Sequence, residues 1–313
     1  IAQLRNRSRR GKISWRSWLR HLLTLSLWVV TISCIALSLF VLYAKSKVPD
    51  PESIVARQII ESTKIYDRTG TTVLYDIYDE ERRTVVDFDH MSDAIRKATL
   101  AIEDSRFYEH RGFDIRGFAR SLLKNIEQGY GSGGGSTLTQ QLVGNALVGR
   151  EKNLTRKVQE LILAIEVEQR YTKDEIITMY LNQVPYGANA YGVEAASQTY
   201  FSIPASDLSI AQAALLASLV QRPSYLSPYG SHVDELFGRQ KYVLGRMRQL
   251  NLISEDAYKA AQQEKVAFKE KTNSVAAPHF VSMAQEYVSQ KYGKDIVVTG
   301  GFKIITTLDA DLQ

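Results

Sequence analysis

Glu103-Asp104-Ser105-Arg106-Phe107-Tyr108-Glu109-His110-Arg111-Gly112 and, further on, Gly134-Gly135-Ser136-Thr137-Leu138-Thr139-Gln140-Gln141 decide how this chain reads. The first is a carboxylate pair at the end of a helical pattern, and the second is a glycine-rich Ser/Thr loop. Together they suggest acid–base chemistry beside a phosphorylated or sugar substrate. Ala94, Ala98, Ala101 and Ile102 give an apolar face to a helix capped by Ser92, which puts Glu103 and Asp104 in its last turn. Carboxylates there face the negative end of the helix dipole and each other. This favours the protonated form and raises the pKa, as a general base working near neutrality requires. On these residues alone a solvated acidic helix end is the competing reading. Phe107 and His110 read as packing and hydrogen-bonding residues that orient the turn.

The glycines of the second stretch permit close backbone approach, and Ser136 is expected to open a helix whose free N–H groups suit an anion. The G-x-x-x-x-G-K-[ST] pattern is absent, so this is no nucleotide loop. Standing alone it would equally serve as a connector between helices. On a third helix Arg156, Glu160, Ala164 and Glu168 recur every four residues, with Val158, Leu161, Ile162 and Ile165 as the apolar face. Read by themselves, Arg156 and Glu160 are a surface ion pair worth about 0.2–0.5 kcal/mol. Beside the other motifs, Glu160 becomes a second active-site carboxylate and Arg156 and Lys157 become candidates for holding a diphosphate.

The N-terminal region places this chemistry. Leu22 to Ala44 carries no charge, and at about 1.5 Å per helical residue it is long enough to cross a bilayer core. Arg5, Arg7, Arg9, Arg10, Lys12, Arg16 and Arg20 precede it without an acidic residue, so the positive-inside rule puts the N-terminus in the cytoplasm and the rest outside. A cleaved signal peptide is the alternative, which the long apolar stretch and the lack of a small-residue cleavage site disfavour. The formal net charge is +5, and residues 1–21 account for all of the excess, which leaves no basic footprint for nucleic acid. The single cysteine, Cys34, lies inside the span, so an intrachain disulfide is excluded.

The remainder divides coarsely. Lys64–Asp67 and Thr71–Tyr75 read as a small β-hairpin around Arg68-Thr69-Gly70, and helical periodicity runs from Ser92 to about Arg222. Further helices are expected over Val233–Leu250 and Ser254–Glu264, and a strand near Gly300–Thr307. The expected segments are a cytoplasmic tail (1–21), a membrane helix (22–44), a linker (45–63), a catalytic domain (64–232) and a helical connection (233–313).

Five ordered blocks over roughly residues 97–228 resemble the peptidoglycan glycosyltransferase domain of class A penicillin-binding proteins. They are Glu103–Gly112, matching E-D-x-x-F-x-x-H-x-G; Gly134–Gln141; Arg156-Lys157-Val158-Gln159-Glu160; Tyr180–Gly187 continuing through Gly192, Ala195, Ala196, Tyr200 and Phe201; and Ala211 through Leu215–Ala217 to Pro223, Tyr225 and Pro228. The resemblance implies a mainly α, lysozyme-like domain, with a small β-hairpin at its start and an N-terminal transmembrane helix. Such a domain polymerises lipid II into β-1,4-linked glycan strands with inversion and release of undecaprenyl diphosphate. By that analogy Glu103 is the base and Glu160 assists from the donor side. Asp104, His110, Ser136, Thr137, Gln140, Gln141, Lys152, Arg156, Lys157 and Asn182 bind substrate. No cofactor is required, although some family members place a divalent cation, Mg or Mn, on the diphosphate; no dedicated ligand set stands out here. Expected partners are lipid II, the nascent strand, the cytoplasmic membrane and other cell-wall synthesis proteins.

The family usually continues its second block as Q-Q-L-x-K-N, whereas this chain has Gln140-Gln141-Leu142-Val143-Gly144-Asn145, and Gln159 stands where lysine is common before Glu160. With a cation missing at the leaving group, Gly144→Lys is expected to speed polymerisation, unless Arg150 or Lys152 supplies the charge. Two other readings stay open, a glycan-cleaving transglycosylase or hydrolase and a weakened scaffold that binds lipid II. Residues after the fifth block, Ala277–Val281 to Ile305–Asp309, resemble the linker leading into a penicillin-binding transpeptidase domain. Ser121-Leu122-Leu123-Lys124 matches S-x-x-K but lacks the S-x-N and K-T-G partners.

Overall fold

The computed structural model describes residues 15–48, 50, 62–77, 82–128, 135–146, 154–270, 277–309 and 312. The chain divides into two units, residues 1–48 with 152–159, and residues 49–151 with 160–313. The first unit holds helix α1, Trp15–Lys45, of which Trp18–Lys45 is long and apolar enough to cross a membrane. Leu22, Leu25, Leu37 and Leu42 are all exposed, as side chains meant for lipid would be. Trp15 and Trp18 stack at one end, and Tyr43 lies near the other, the positions aromatic residues favour at membrane–water boundaries.

The second unit is mainly helical. Strands β1 (Thr63–Tyr66) and β2 (Val73–Ile77) form the antiparallel hairpin read from the sequence. A two-residue strand β3, Arg82–Arg83, follows, and then helices α2 (Asp93–Glu103), α3 (Ile115–Gln128) and α4 (Leu138–Ala146). Helix α5, Leu154–Arg170, begins in the first unit and belongs to the second from Glu160 onward. Helix α6 (Lys173–Gln183) leads into β4 (Pro185–Gly187), β5 (Ala190–Tyr191) and α7 (Val193–Phe201). The rest comprises α8 (Ile210–Leu219), α9 (Val233–Gln249), α10 (Glu255–Gln263), α11 (Pro278–Tyr292), α12 (Lys294–Thr299) and β6 (Lys303–Ile305).

The core is built around α8. Its Ala-Leu sequence is apolar on every side, which suits a helix covered all round, and Ala211 and Ala213 through Leu219 are buried. Ser209 starts it with a capping box to Gln212. Helices α2 and α9 pack on α8, and α9 also packs on α2. The Gln240 amide donates to the Ala211 carbonyl at 2.7 Å and pins α9 in place. Two small sheets border this body, in strand orders β2-β1-β6 and β3-β5-β4. The first packs Ile65, Leu74 and Ile77 against Val281 and Val297.

Candidate active site

Helix α2 is capped by Ser92, whose hydroxyl accepts from the Ile95 N–H, and its spacing buries Ile95, Ala98 and Ala101. Glu103 is its last residue, and Asp104 is the C-cap rather than part of the last turn. Asp104 is buried, its carboxylate 2.9 Å from His110 Nε2 and accepting the Leu138 N–H at 3.0 Å. Phe107 is buried beneath the same turn, with the Lys173 ammonium over its ring at 4.2 Å. His110 and Phe107 therefore hold the turn in shape, as their residue types suggest.

The expected start of the next helix is corrected by this arrangement. Helix α4 opens at Leu138, not Ser136, because Thr137 and Gln140 make a reciprocal cap: the Thr137 hydroxyl accepts from Gln140 N at 3.2 Å, and the Gln140 side-chain oxygen accepts from Thr137 N at 3.1 Å. The Thr137 hydroxyl also donates to the Gly112 carbonyl at 2.8 Å. An anion does sit at this helix N-terminus, but it is Asp104 from the chain itself. Thr137 and Gln140 are both buried and committed to the framework. Ser136 is only partly buried and lines a cavity of about 190 Å³ with Glu103, Ser105, Arg106, Asp114 and Arg120.

Gln141, the next residue on α4, points the other way. Its amide donates to Glu103 Oε2 at 2.8 Å, and its carbonyl oxygen accepts from the Tyr180 hydroxyl at 3.1 Å. Tyr180 and Tyr186 are buried beside Glu103, and burial first, then the Glu103 charge, pushes both phenols up. The Tyr186 hydroxyl has no hydrogen-bond partner among the described residues. Glu103 itself lies above the usual carboxylate range. Burial is the leading cause, Gln141 and the positive charge of Arg239 oppose it, and Asp104 adds to it. The direction matches the sequence reading, but desolvation drives it rather than the helix dipole.

Helix α5 is turned over relative to its expected apolar face. Its buried residues are Glu160, Leu163, Ala164 and Val167, whereas Ile165 is exposed and Val158, Leu161 and Ile162 are only partly buried. The inward acidic residues have partners that justify the cost of burying them. Glu168 accepts from Thr139 at 2.6 Å and pairs with Lys173 at 2.7 Å. Ala164 faces inward because the Gly112 turn lies on the α5 backbone. Gly112 has φ +81°, and a Cβ there would stand 3.0 Å from the Ala164 carbonyl. Gly112→Ala is accordingly expected to cost about 1–2 kcal/mol in conformational strain alone, read as a lowered Tm.

Glu160 is buried against Gly144, where a Cβ would meet its Oε1 at 3.1 Å. Gln141 and Gly144 are one turn apart on α4, so a single turn of that helix addresses Glu103 with an amide and Glu160 with a bare backbone. Arg156 and Lys157 lie in the first unit, on the opening turn of α5. Gln159, in the same unit, donates to the Ala44 carbonyl at 3.4 Å, near the end of α1. Lys152, Arg150 and residues 129–134 of the glycine-rich loop lie outside the described residues. Asn182 is buried and bonded to both polar groups of the Val86 backbone, at 2.9 and 3.1 Å, a framework position away from the cavity lining. Sequence reasoning missed Arg106 and Arg120 as neighbours of the site. Arg106, inside the first block, forms an ion pair with Asp114.

A family model described as Transglycosylase matches residues 70–248. Penicillin-binding protein 1A of Vibrio cholerae serotype O1 is 34% identical over 298 residues, covering 95% of this chain and 36% of its own length. Penicillin-binding protein 1A/1B of Bacillus subtilis is 37% identical over 265 residues, covering 80% of this chain and 28% of its own. A crystal structure of Penicillin-Binding Protein 1A from Haemophilus influenzae aligns with 80% of this chain and 27% of its own, at TM-score 0.45 and 22% identity. The chain thus spans about a third of the length of its curated relatives. The Transglycosylase match covers more than half of the sequence and contains Glu103, Gln141, Gly144 and Glu160, and the chain belongs to the transglycosylase family.

Proposed function

We propose that the chain polymerises lipid II into β-1,4-linked peptidoglycan strands while anchored in the cytoplasmic membrane by α1, its N-terminus inside and the domain at residues 64–232 outside. The observation that carries this reading is the meeting of two carboxylates, Glu103 and Glu160, on one turn of α4, the first desolvated and hydrogen-bonded to Gln141. A desolvated carboxylate above the usual range is a stronger base than one in water, and its hydrogen bond fixes which oxygen stays free.

In this scheme Glu103 accepts the proton of the acceptor sugar's 4-hydroxyl as that oxygen bonds to the anomeric carbon of the growing chain. The bond from that carbon to undecaprenyl diphosphate breaks, and the diphosphate leaves with the electron pair. Glu160 faces the positive charge that gathers on the donor ring, a role that buried carboxylates take in glycosyl transfer. Ser136 and Arg120, in the cavity lining, and Arg156 and Lys157 on α5 are the candidates for the diphosphate. Asp104, His110, Thr137, Gln140 and Asn182 contribute by shaping the turn, the helix start and the Val86 segment. Among the described residues no group of three or more His, Cys, Asp or Glu side chains is placed to hold a metal ion.

Incubation of the full chain with labelled lipid II in detergent or bilayers tests the proposal. Long glycan is the expected product. Shortened glycan from preformed strands would point instead to a cleaving enzyme, and unchanged lipid II would leave only a binding role.

A further inference from the structure

Tyr180 lies on α6, the helix that packs against α4, and its ring is buried. Among the described residues its hydroxyl makes one hydrogen bond, to the Gln141 carbonyl oxygen at 3.1 Å. The nitrogen of the same Gln141 amide donates to Glu103 Oε2 at 2.8 Å. Three side chains from three helices thus form one line, and the line has a direction. An ionised carboxylate only accepts, so the Gln141 amide turns its N–H group to Glu103 and its oxygen to Tyr180, where the phenol must donate. The reverse arrangement would put the amide oxygen toward a protonated Glu103 and the amide N–H toward the phenol, leaving the Tyr180 proton buried without an acceptor. A buried donor left unpaired is costly, whereas the forward arrangement satisfies every group in the line.

We propose that Tyr180 is a positioning residue of the reaction: its hydroxyl locks the Gln141 amide in the orientation that donates to Glu103, which keeps that carboxylate ionised and leaves Oε1 as the atom that takes the proton. The inference rests on Glu103 being the base. The other charged and titratable groups that act on the carboxylate are Asp104 at the end of α2, Arg239 on α9, and the Tyr186 phenol on β4. Burial and Asp104 disfavour its charged form, while Arg239 and the Gln141 amide favour it. Tyr180 suits the task because burial pushes its phenol above the ordinary range, so it stays protonated and keeps donating across the pH range in which Glu103 titrates. A phenylalanine would fill the same space, and only the hydroxyl sets the amide.

The test is the pH dependence of kcat/KM for lipid II polymerisation by the full chain, comparing wild type with Tyr180→Phe, Gln141→Met and the double variant. Without the hydroxyl the amide is free to turn its oxygen to the carboxyl group, which favours the protonated acid. Tyr180→Phe is therefore expected to move the acidic limb to higher pH, with a loss of up to about tenfold on its acidic side that closes as the pH rises. Gln141→Met should move the limb at least as far, and adding Tyr180→Phe to it should change the profile no further, because the hydroxyl acts only through the amide. A loss in Tyr180→Phe that is the same at every pH, no loss at all, or a further shift in the double variant would overturn the proposal. If Tyr180→Phe does not fold, Gln141→Met decides: a limb moved to higher pH supports the lock, and an unmoved limb removes the group through which Tyr180 acts. Glu103→Gln measured alongside separates the two readings: activity in that variant removes Glu103 as the base, whereas an inactive Glu103→Gln with an unmoved Tyr180→Phe profile removes Tyr180 alone.

Discussion

Glu103→Gln is expected to slow polymerisation by about 10²–10⁴-fold, the usual cost of losing a general base, and at the same time to make the protein harder to unfold at neutral pH. The two effects share one cause. Burial raises the pKa of Glu103 above that of an unfolded-chain carboxylate, so the folded state prefers the proton-bound form. Its contribution to stability is complete below the unfolded pKa and is lost as the pH rises through the folded one. At neutral pH the ionised side chain is therefore a net cost to the fold. Glutamine carries no charge to desolvate, and its carbonyl can still accept the Gln141 amide. Thermal unfolding across a pH series, paired with single-turnover assays, checks both halves. The Tm gain should be largest near neutrality and shrink in acid. A variant with near wild-type turnover would show that Glu103 is not the base, and one with no pH-dependent gain would show that its burial does not cost the fold.

Substitution of Gly144 is expected to be damaging, which reverses the benefit anticipated for Gly144→Lys from the family pattern. The glycine has ordinary helical geometry, so backbone strain is no objection. The obstacle is Glu160, whose Oε1 lies 3.1 Å from the first side-chain atom any other residue would carry. Gly144→Ala must push the carboxylate aside by tenths of an ångström, and displacement of a catalytic group by about 1 Å can cost on the order of 10²-fold. A loss of roughly tenfold is expected for alanine and on the order of 10²-fold for lysine, whose ammonium would also sit beside Glu160. The alanine variant should keep its fold, since alanine gains about 1 kcal/mol of helix propensity over glycine. Measuring kcat/KM and Tm for both settles the matter, and faster polymerisation by Gly144→Lys would show that the missing cation outweighs the crowding.

The helices, the first hairpin and Glu103 at the end of its helix were legible because each depends on local signals. Ser92 and Ser254 announce their helices, and Glu103 follows directly from the apolar spacing before it. What stayed hidden depends on contacts between distant segments. The inward turn of Glu160 and Glu168 could not be read from α5 alone, since the partners that make it tolerable, Thr139 and Lys173, and the bare surface of Gly144, come from other elements. Thr137 and Gln140 could not be assigned from sequence for a different reason. A polar Thr-x-x-Gln string after a glycine-rich loop fits ligand contact and helix capping equally well, and the capping contacts appear only once the chain is folded. The strands β3, β4 and β5 are two or three residues long, too short to show alternation.

The sheet β2-β1-β6 has a temporal consequence. Strand β6 lies parallel to β1 with Lys303 opposite Lys64, so an entire helical domain is synthesised between the two partners. At about 5–20 residues per second, β1 and β2 exist for roughly 10–50 s as a lone hairpin, which is marginally stable at best in water. One side of β1 is then an unpaired row of backbone groups open to any extended chain nearby. Closure by β6, reinforced by Thr306 N–H and hydroxyl bonds to the Tyr66 carbonyl, ends that interval. Pairing of β1 with β6 thus acts as a late latch in biogenesis, fastened only after the helices that carry Glu103 and Glu160 have been made.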